Sequence, residues 1–362
     1  MKTDNRLLSL DFFRGMTMFL LVAEFAHIFP FLVEPELEGS IIHSIGEQFH
    51  HCRWEGLHFW DLIQPFFMFI VGVAMPFSFA ARMKKGDSQK NIVKHVLKRS
   101  LLLLVIGWAL YCIDPGRIVF RFQNVLAQLS VTYLLAFLVM KKPAWFQISF
   151  SILLLIITEV LYRGFWVEGF TNTFTPGENF GAWFNILIDG KEDGGHWAMF
   201  NAIPTAAHTI WGVLIGQLLI SSRSAKKKMA IMAIFGVILL ILGYSLSPLT
   251  PIIKRISSST FVLTSGGWTI LVMLLSYWLI DYLKLRKGIL FFTVVGMNPL
   301  FIYLFSHVGG ASLVRKIIYP FSTGLFGWTG DWTAGLLTSI LTLAFLWYIC
   351  YFMYKKRVFI RI

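Results

Sequence analysis

Charged side chains are scarce in this chain, at 14% of 362 residues, where a soluble domain carries about a quarter. With 56% hydrophobic residues and a mean hydropathy of +0.68, that shortage excludes a water-soluble globule of this size. It equally excludes disorder, which needs low hydrophobicity and high net charge. Acid is the scarcer sign, with 19 Asp and Glu against 32 Lys and Arg, but the resulting net charge of +13 points to nucleic acid only if the cations gather on a soluble face. They lie in short clusters between apolar runs, so no nucleic-acid partner is expected. Cysteine is limited to Cys52, Cys112 and Cys350, in unrelated segments without the paired spacing of a disulfide framework or a zinc site. A Gly-rich phosphate loop between strand and helix is also lacking; Gly194-Gly195 and Gly309-Gly310 read as turns.

Large apolar side chains are what the chain has in quantity: 35 Phe, 13 Trp and 13 Met. Apolar runs bounded by charge occur at Leu7 to Phe29, Leu62 to Ala81, Ser100 to Ile113, Val125 to Met140, Ala144 to Tyr162, Ala206 to Ile220, Met229 to Leu246, Phe261 to Tyr282, Ile289 to Phe305 and Ala334 to Tyr354. A helix crosses the bilayer in about 20 residues, so the expectation is an all-α polytopic transmembrane helix bundle of about ten spans, nine to eleven, in one domain covering 1–362. Ile92 to Lys98 extends the third helix inward, and Gly309 to Pro320 suits a re-entrant or interfacial piece. The short polar start, Met1 to Arg6, and the charges Asp11, Arg14 and Glu24 in the first run read as a retained helix without a cleavage site.

Orientation follows from the cations, which favour the cytoplasmic side. With the N-terminus inside, the inner segments contain Lys2, Arg6 and Arg14, the Arg82 to Arg99 stretch, Lys141 and Lys142, Arg223 to Lys228, Lys284 to Lys287 and Lys355 to Arg361, which is 23 of the 32 Lys and Arg. Most of the acids, Asp114 among them, fall on the other side. Both termini are therefore expected in the cytoplasm, and the long stretches 30–60 and 163–204 are expected to cap the outer face. Loops of this length usually fold over something. Theirs combine Trp54, Trp60, Trp166, Trp183 and Trp197 with acids and with His50, His51, His58 and His196. Aromatic platforms beside acids and amides suit a polar sugar or a cationic amine, although Trp also populates membrane interfaces regardless of function.

Chemistry concentrates in His50 to Leu62. A histidine at the mouth of a membrane cavity takes and returns a proton near neutral pH, or accepts an acyl group as a nucleophile. Asp61 is placed to orient an imidazole. His51, Glu55 and His58 would share one helical face at i, i+4 and i+7 as zinc-type ligands, but Gly56 interrupts that helix and no metal is expected. Asp11 and Arg14, at i, i+3, lie on one face of the first helix, where they form an ion pair or grip an anionic cofactor. Glu24 and His27 lie near the other end of that helix, one turn apart.

The pattern Arg6-x-x-Ser9-Leu10-Asp11-x-x-Arg14-Gly15, followed by His51-x-x-Trp54-x-Gly56 and Asp61-Leu62-x-x-Pro65-x-Phe67-x-Phe69-x-x-Gly72, resembles the heparan-alpha-glucosaminide N-acetyltransferase family and its bacterial relatives. Similar to it in order and spacing are Arg121-x-x-x-Val125-Leu126 with Val131-Thr132-Tyr133, Ile203-Pro204 before Gly212 and Gly216, Phe261 to Gly266, Gly296-Met297-Asn298 with Tyr303, and the ending Tyr354 to Ile362. The chain departs from the family at Glu24-Phe25, at Ala127-Gln128 and at Gly194 to Trp197.

The resemblance implies acetyl transfer from cytosolic acetyl-CoA to the amino group of glucosamine, or a related amino sugar, on the far side of the membrane. It aligns the family's essential histidine with His51, and it suggests a homodimer. On that reading His51 and Asp61 are catalytic. Arg14, Arg121, Asn298, Arg82 and Arg99 contact acetyl-CoA, and Trp54, Glu55, Glu24 and His196 contact the acceptor. The short inner loops fit a bacterial inner membrane, with the acceptor in the periplasm. The rival reading is an amino-sugar transporter or sensor, motivated by the departures and by the buried ionisable groups; no inverted repeat is visible to support it.

Overall fold

The computed structural model describes residues 7–113 and 115–360. Lys2, Arg6, Asp114 and Arg361, which enter the charge count, and Ile362 at the end of the last motif lie outside the described residues, as does the short polar start.

The apolar runs are helical. In chain order the described residues form α1 (Leu8–Phe25), α2 (Ile41–Glu47), α3 (Ile63–Lys84), α4 (Gln89–Ile113), α5 (Val125–Val139), α6 (Ala144–Arg163), α7 (Phe180–Asp189), α8 (Ala206–Ile220), α9 (Ala225–Ser245), α10 (Ser259–Ser276), α11 (Ile289–Met297), α12 (Pro299–His307), α13 (Gly310–Phe326) and α14 (Asp331–Lys355). No strand occurs among them, and one isolated antiparallel bridge joins Glu55 to Ile253. The protein is an all-α polytopic membrane protein.

Each of the ten expected spans contains a helix, but seven helical segments among the described residues are long and apolar enough to cross a membrane unaided, and the α11–α12 pair makes an eighth if it is one broken span. The difference has two sources. Helix α1 carries Asp11, Arg14 and Glu24 within 18 residues, and α5 has only 15. The expected inward extension of the third span is present, since α4 begins at Gln89. The 71° bend between α11 and α12 falls at Asn298-Pro299, where proline has no N–H to give and its ring clashes with the preceding turn. The stretch read as re-entrant or interfacial is the 17-residue α13. Its residues Leu313, Ile317, Phe321 and Leu325 are exposed, spaced along one face.

The chain divides into two compact units. Unit 1 holds the described residues of Met1–His51, His58–Ile63 and Ser276–Arg361. In it α1 packs on α11 and α12, and α13 packs on α14. The α1–α11 crossing is close because Gly15 and Gly296 meet there; a Cβ on Gly15 would collide with the Phe292 carbonyl. Small residues allow such approach in membrane helices, where packing rather than the hydrophobic effect drives association. Unit 2 holds Cys52–Leu57 and Gln64–Leu275. There α5 packs on α4 and α8, and α8 packs on α6. Gly72 of α3 faces Gly212 of α8, with their backbones in contact.

Candidate functional site

In unit 1, His51 Nδ1 lies 2.8 Å from Asp61 Oδ1. The carboxylate is buried, with 1% of its surface exposed, while the imidazole is 36% exposed. The local sequence builds this pair. Phe29 stacks on Phe49 at 4.5 Å, and Trp60 meets Phe29 edge-on at 5.1 Å. Gln48 then ties down the short turn Phe59–Leu62: its carbonyl accepts from the Trp60 N–H at 2.8 Å and its Oε1 from the Phe59 N–H at 3.3 Å. That turn carries Asp61, whose Oδ2 accepts from the His58 N–H at 3.0 Å. The His58 and His50 rings are spent on structure, with Nδ1 atoms 2.9 Å from the His50 carbonyl and 3.0 Å from the Gly46 carbonyl.

An ionised carboxylate only accepts hydrogen bonds, so Asp61 assigns the neutral imidazole's proton to Nδ1 and its lone pair to Nε2. The same carboxylate stabilises the ring if Nε2 gains a proton or an acyl group. This arrangement is competent for general base or nucleophilic catalysis.

Between His51 and His58 the chain belongs to unit 2. The Trp54 indole N–H donates to the Phe174 carbonyl at 2.7 Å, and the Gly56 N–H donates to the Ile252 carbonyl at 2.8 Å. Gly56 has φ +124, a conformation that L side chains rarely adopt. Because Glu55 is held in a bridge, the helical face that would align His51, Glu55 and His58 does not form. No group of three His, Cys, Asp or Glu side chains among the described residues is placed to hold a metal. Trp54 does meet His196, their rings edge-on at 6.3 Å, and His196 Nδ1 lies 2.6 Å from Glu192 Oε1. Glu55 is exposed here, whereas Glu24 is exposed at the end of α1 in unit 1.

The residues expected to contact the donor divide between the two units. In unit 1, Arg14 pairs with Asp11 at 3.7 Å. Asn298 is fully buried and clasps the tail: its Nδ2 donates to the Val358 carbonyl and its Oδ1 accepts from the Ile360 N–H, both at 2.9 Å. In unit 2, Arg121 holds Asp189 at the end of α7, with Nε donating at 2.8 Å. Arg82 pairs with Asp87 at 3.2 Å, and Arg99 lies over the Tyr133 ring at 4.8 Å. Arg82 also lines a small cavity with His95 of α4 and Tyr133 of α5.

Sequence reasoning passed over His95, although its place one turn before Arg99 in a basic stretch was a visible signal. It also passed over Lys254 and Arg255, which lie over the Trp197 ring at 5.5 and 5.2 Å. Two adjacent cations on the acid-rich side of the charge count were the available sign. Trp166 is 85% exposed, as an interfacial anchor would be.

Residues 6–247 match the family described as "Heparan-alpha-glucosaminide N-acetyltransferase, catalytic". Among individual proteins, heparan-alpha-glucosaminide N-acetyltransferase of Mus musculus is 30% identical over 138 residues, which cover 36% of this chain and 18% of that protein. The Homo sapiens protein of the same name is 30% identical over 137 residues, covering 35% and 18%. The match thus spans under a fifth of either relative's length. The His51–Asp61 pair lies inside the family match, on the motif that carries the resemblance. The chain belongs to the heparan-alpha-glucosaminide N-acetyltransferase catalytic family.

Proposed function

We propose that the protein is a membrane-embedded acetyltransferase that moves an acetyl group from cytosolic acetyl-CoA to the amino group of glucosamine, or a related amino sugar, on the outer, periplasmic side of a bacterial inner membrane. One observation carries the reading: a half-exposed imidazole oriented at Nδ1 by a buried carboxylate, within the matched family region. The names of the relatives support an amino-sugar acceptor.

An amine attacks an acyl carbon only when unprotonated. In a direct transfer His51 Nε2 takes a proton from the acceptor ammonium, the amine forms the C–N bond, the thioester C–S bond breaks, and the surplus proton on the new amide nitrogen passes to the leaving CoA sulfur. In a two-step transfer Nε2 forms the bond to the acetyl carbon, the thioester C–S bond breaks, and CoA leaves as a thiolate that takes a proton from solvent; the unprotonated amine then attacks acetyl-His51, the C–Nε2 bond breaks, and Nε2 takes the amine's surplus proton. Asp61 stabilises the charged ring in either route.

Arg82 and Arg99 are assigned to the donor's phosphates, since guanidinium matches phosphate oxygens in a planar fork. Arg14, Arg121 and Asn298 are assigned polar contacts with the donor, the last two through the partners that they hold. Trp54, Glu55, Glu24 and His196 are assigned to the acceptor, where carboxylates attract a cationic amino sugar. A homodimer in the lipid bilayer is the assembly that goes with this reading.

The test is mass spectrometry of glucosamine incubated with acetyl-CoA and purified protein, with wild type and His51→Ala side by side. N-acetylglucosamine from wild type alone is the expected result. Product from both removes His51 from the chemistry. Product from neither, with donor binding verified, removes glucosamine as the acceptor. Acetyl-His51 trapped with donor alone selects the two-step route.

A further inference from the structure

We propose that unit 2 carries a phosphate-ester pocket at the basic ends of α3 and α4, and that His95, Arg82 and Arg99 hold the phosphate. The cavity is walled by Ser78 and Arg82 of α3, His95 of α4 and Tyr133 of α5, over a floor of Met75 and Val96. Its polar wall thus supplies a guanidinium, an imidazole and two hydroxyls, while its floor is apolar.

Two features point to an anion. Arg82 commits one nitrogen to Asp87 at 3.2 Å, and a guanidinium carries five N–H donors. Arg99 lies with its guanidinium carbon 4.8 Å from the centre of the Tyr133 ring, and its buried Nε has no hydrogen-bond partner among the described residues. A buried donor left unpaired is unfavourable unless a ligand or water meets it. The charges that act on His95 are the cations Arg82, Arg99 and Lys98 and the acid Asp87, and Lys141 lies 4.8 Å over the ring of Phe79, which also lines the cavity. The balance is positive, and Arg binds phosphate in bidentate fashion.

The surroundings suit an amphipathic ligand. Leu97, Leu101 and Val105 of α4 are exposed at 54%, 60% and 49%, a strip that an acyl chain can follow away from the basic end. Basic pockets between membrane helices recruit anionic phospholipid head groups in this way. The same phosphate chemistry is offered by the nucleotide end of acetyl-CoA. The donor source rests on the transferase reading; the lipid source does not.

Native mass spectrometry of the delipidated full chain separates the sources. Phosphatidylglycerol, phosphatidylcholine and CoA are titrated in turn against wild type, His95→Gln and Arg99→Gln. Each variant is expected to weaken one phosphate ester by about tenfold, the loss of a charge-assisted hydrogen bond, with phosphatidylcholine bound weakly throughout. Loss confined to phosphatidylglycerol identifies a lipid site, and loss confined to CoA identifies the donor's phosphate. Unchanged binding of both, in variants that unfold at the wild-type temperature, overturns the proposal. If Arg99→Gln does not fold, Arg82→Gln on the half-exposed rim reports the same pocket. Binding is read without acceptor and without turnover, so a failed transfer assay leaves this result readable.

Discussion

At the scale of single residues, Asp61 is the group on which the candidate site turns. Its two carboxylate oxygens are divided between the His51 ring and the His58 backbone, so orienting the ring and shaping the turn are one interaction network. Replacing Asp61 by Asn keeps the volume and one acceptor but presents an NH2 or a neutral oxygen to Nδ1, which loosens both tautomer and ring charge. Asp61→Asn is therefore expected to lower acetyl transfer by about a hundredfold or more while leaving thermal unfolding near wild type. Initial rates measured beside an unfolding curve check this, and an unchanged rate removes Asp61 from the mechanism. The pair was legible in the sequence because both residues sit within one dense cluster. The geometry that joins them was not, since it depends on Gln48 and the Phe29–Phe49 stack, contacts without a sequence signature. The break at Gly56 that weakens the zinc alternative was legible too, and in the structure Glu55 beside it is held in a bridge to Ile253.

Elements were the most legible level, because apolar runs between charges report helices directly. Their limits were harder to read where a span carries charge, as in α1, or is short, as in α5. Close crossings leave a weaker trace still, yet two glycines decide the α1–α11 contact. Gly15→Ala places a methyl against the Phe292 carbonyl and forces the helices apart, at an expected loss of about 1–3 kcal/mol. A lowered unfolding temperature in detergent would show it, and full stability would mean that the crossing is looser than described.

Asn298 acts at the same scale. Read in the sequence as a donor contact, it joins the α11–α12 break to the tail through Val358 and Ile360. Asn298→Ala removes the side-chain partner of the Val358 carbonyl and the Ile360 N–H, a loss of about 0.5–1.5 kcal/mol for each hydrogen bond. The tail should then be cut sooner by a protease active at Lys355, Lys356 and Arg357. An unchanged cleavage rate would show that the tail is held by other contacts.

For the whole molecule the decisive physics is the sorting of charge by the membrane. The assigned inner segments carry 23 of the 32 Lys and Arg, and the basic cavity of unit 2 lies among them, at the Arg82 to Arg99 stretch. The histidine cluster falls within the segments that the same charge count assigns to the opposite, acid-rich side. Cation bias sets orientation when it is strong in short loops, and here it is strong. A C-terminal green fluorescent protein fusion should therefore fluoresce, whereas alkaline phosphatase at the same position should be inactive; a phosphatase inserted between Gly169 and Phe170 should be active. The reverse pattern would place His51 in the cytoplasm with acetyl-CoA, and the acceptor would then have to be an intracellular amine.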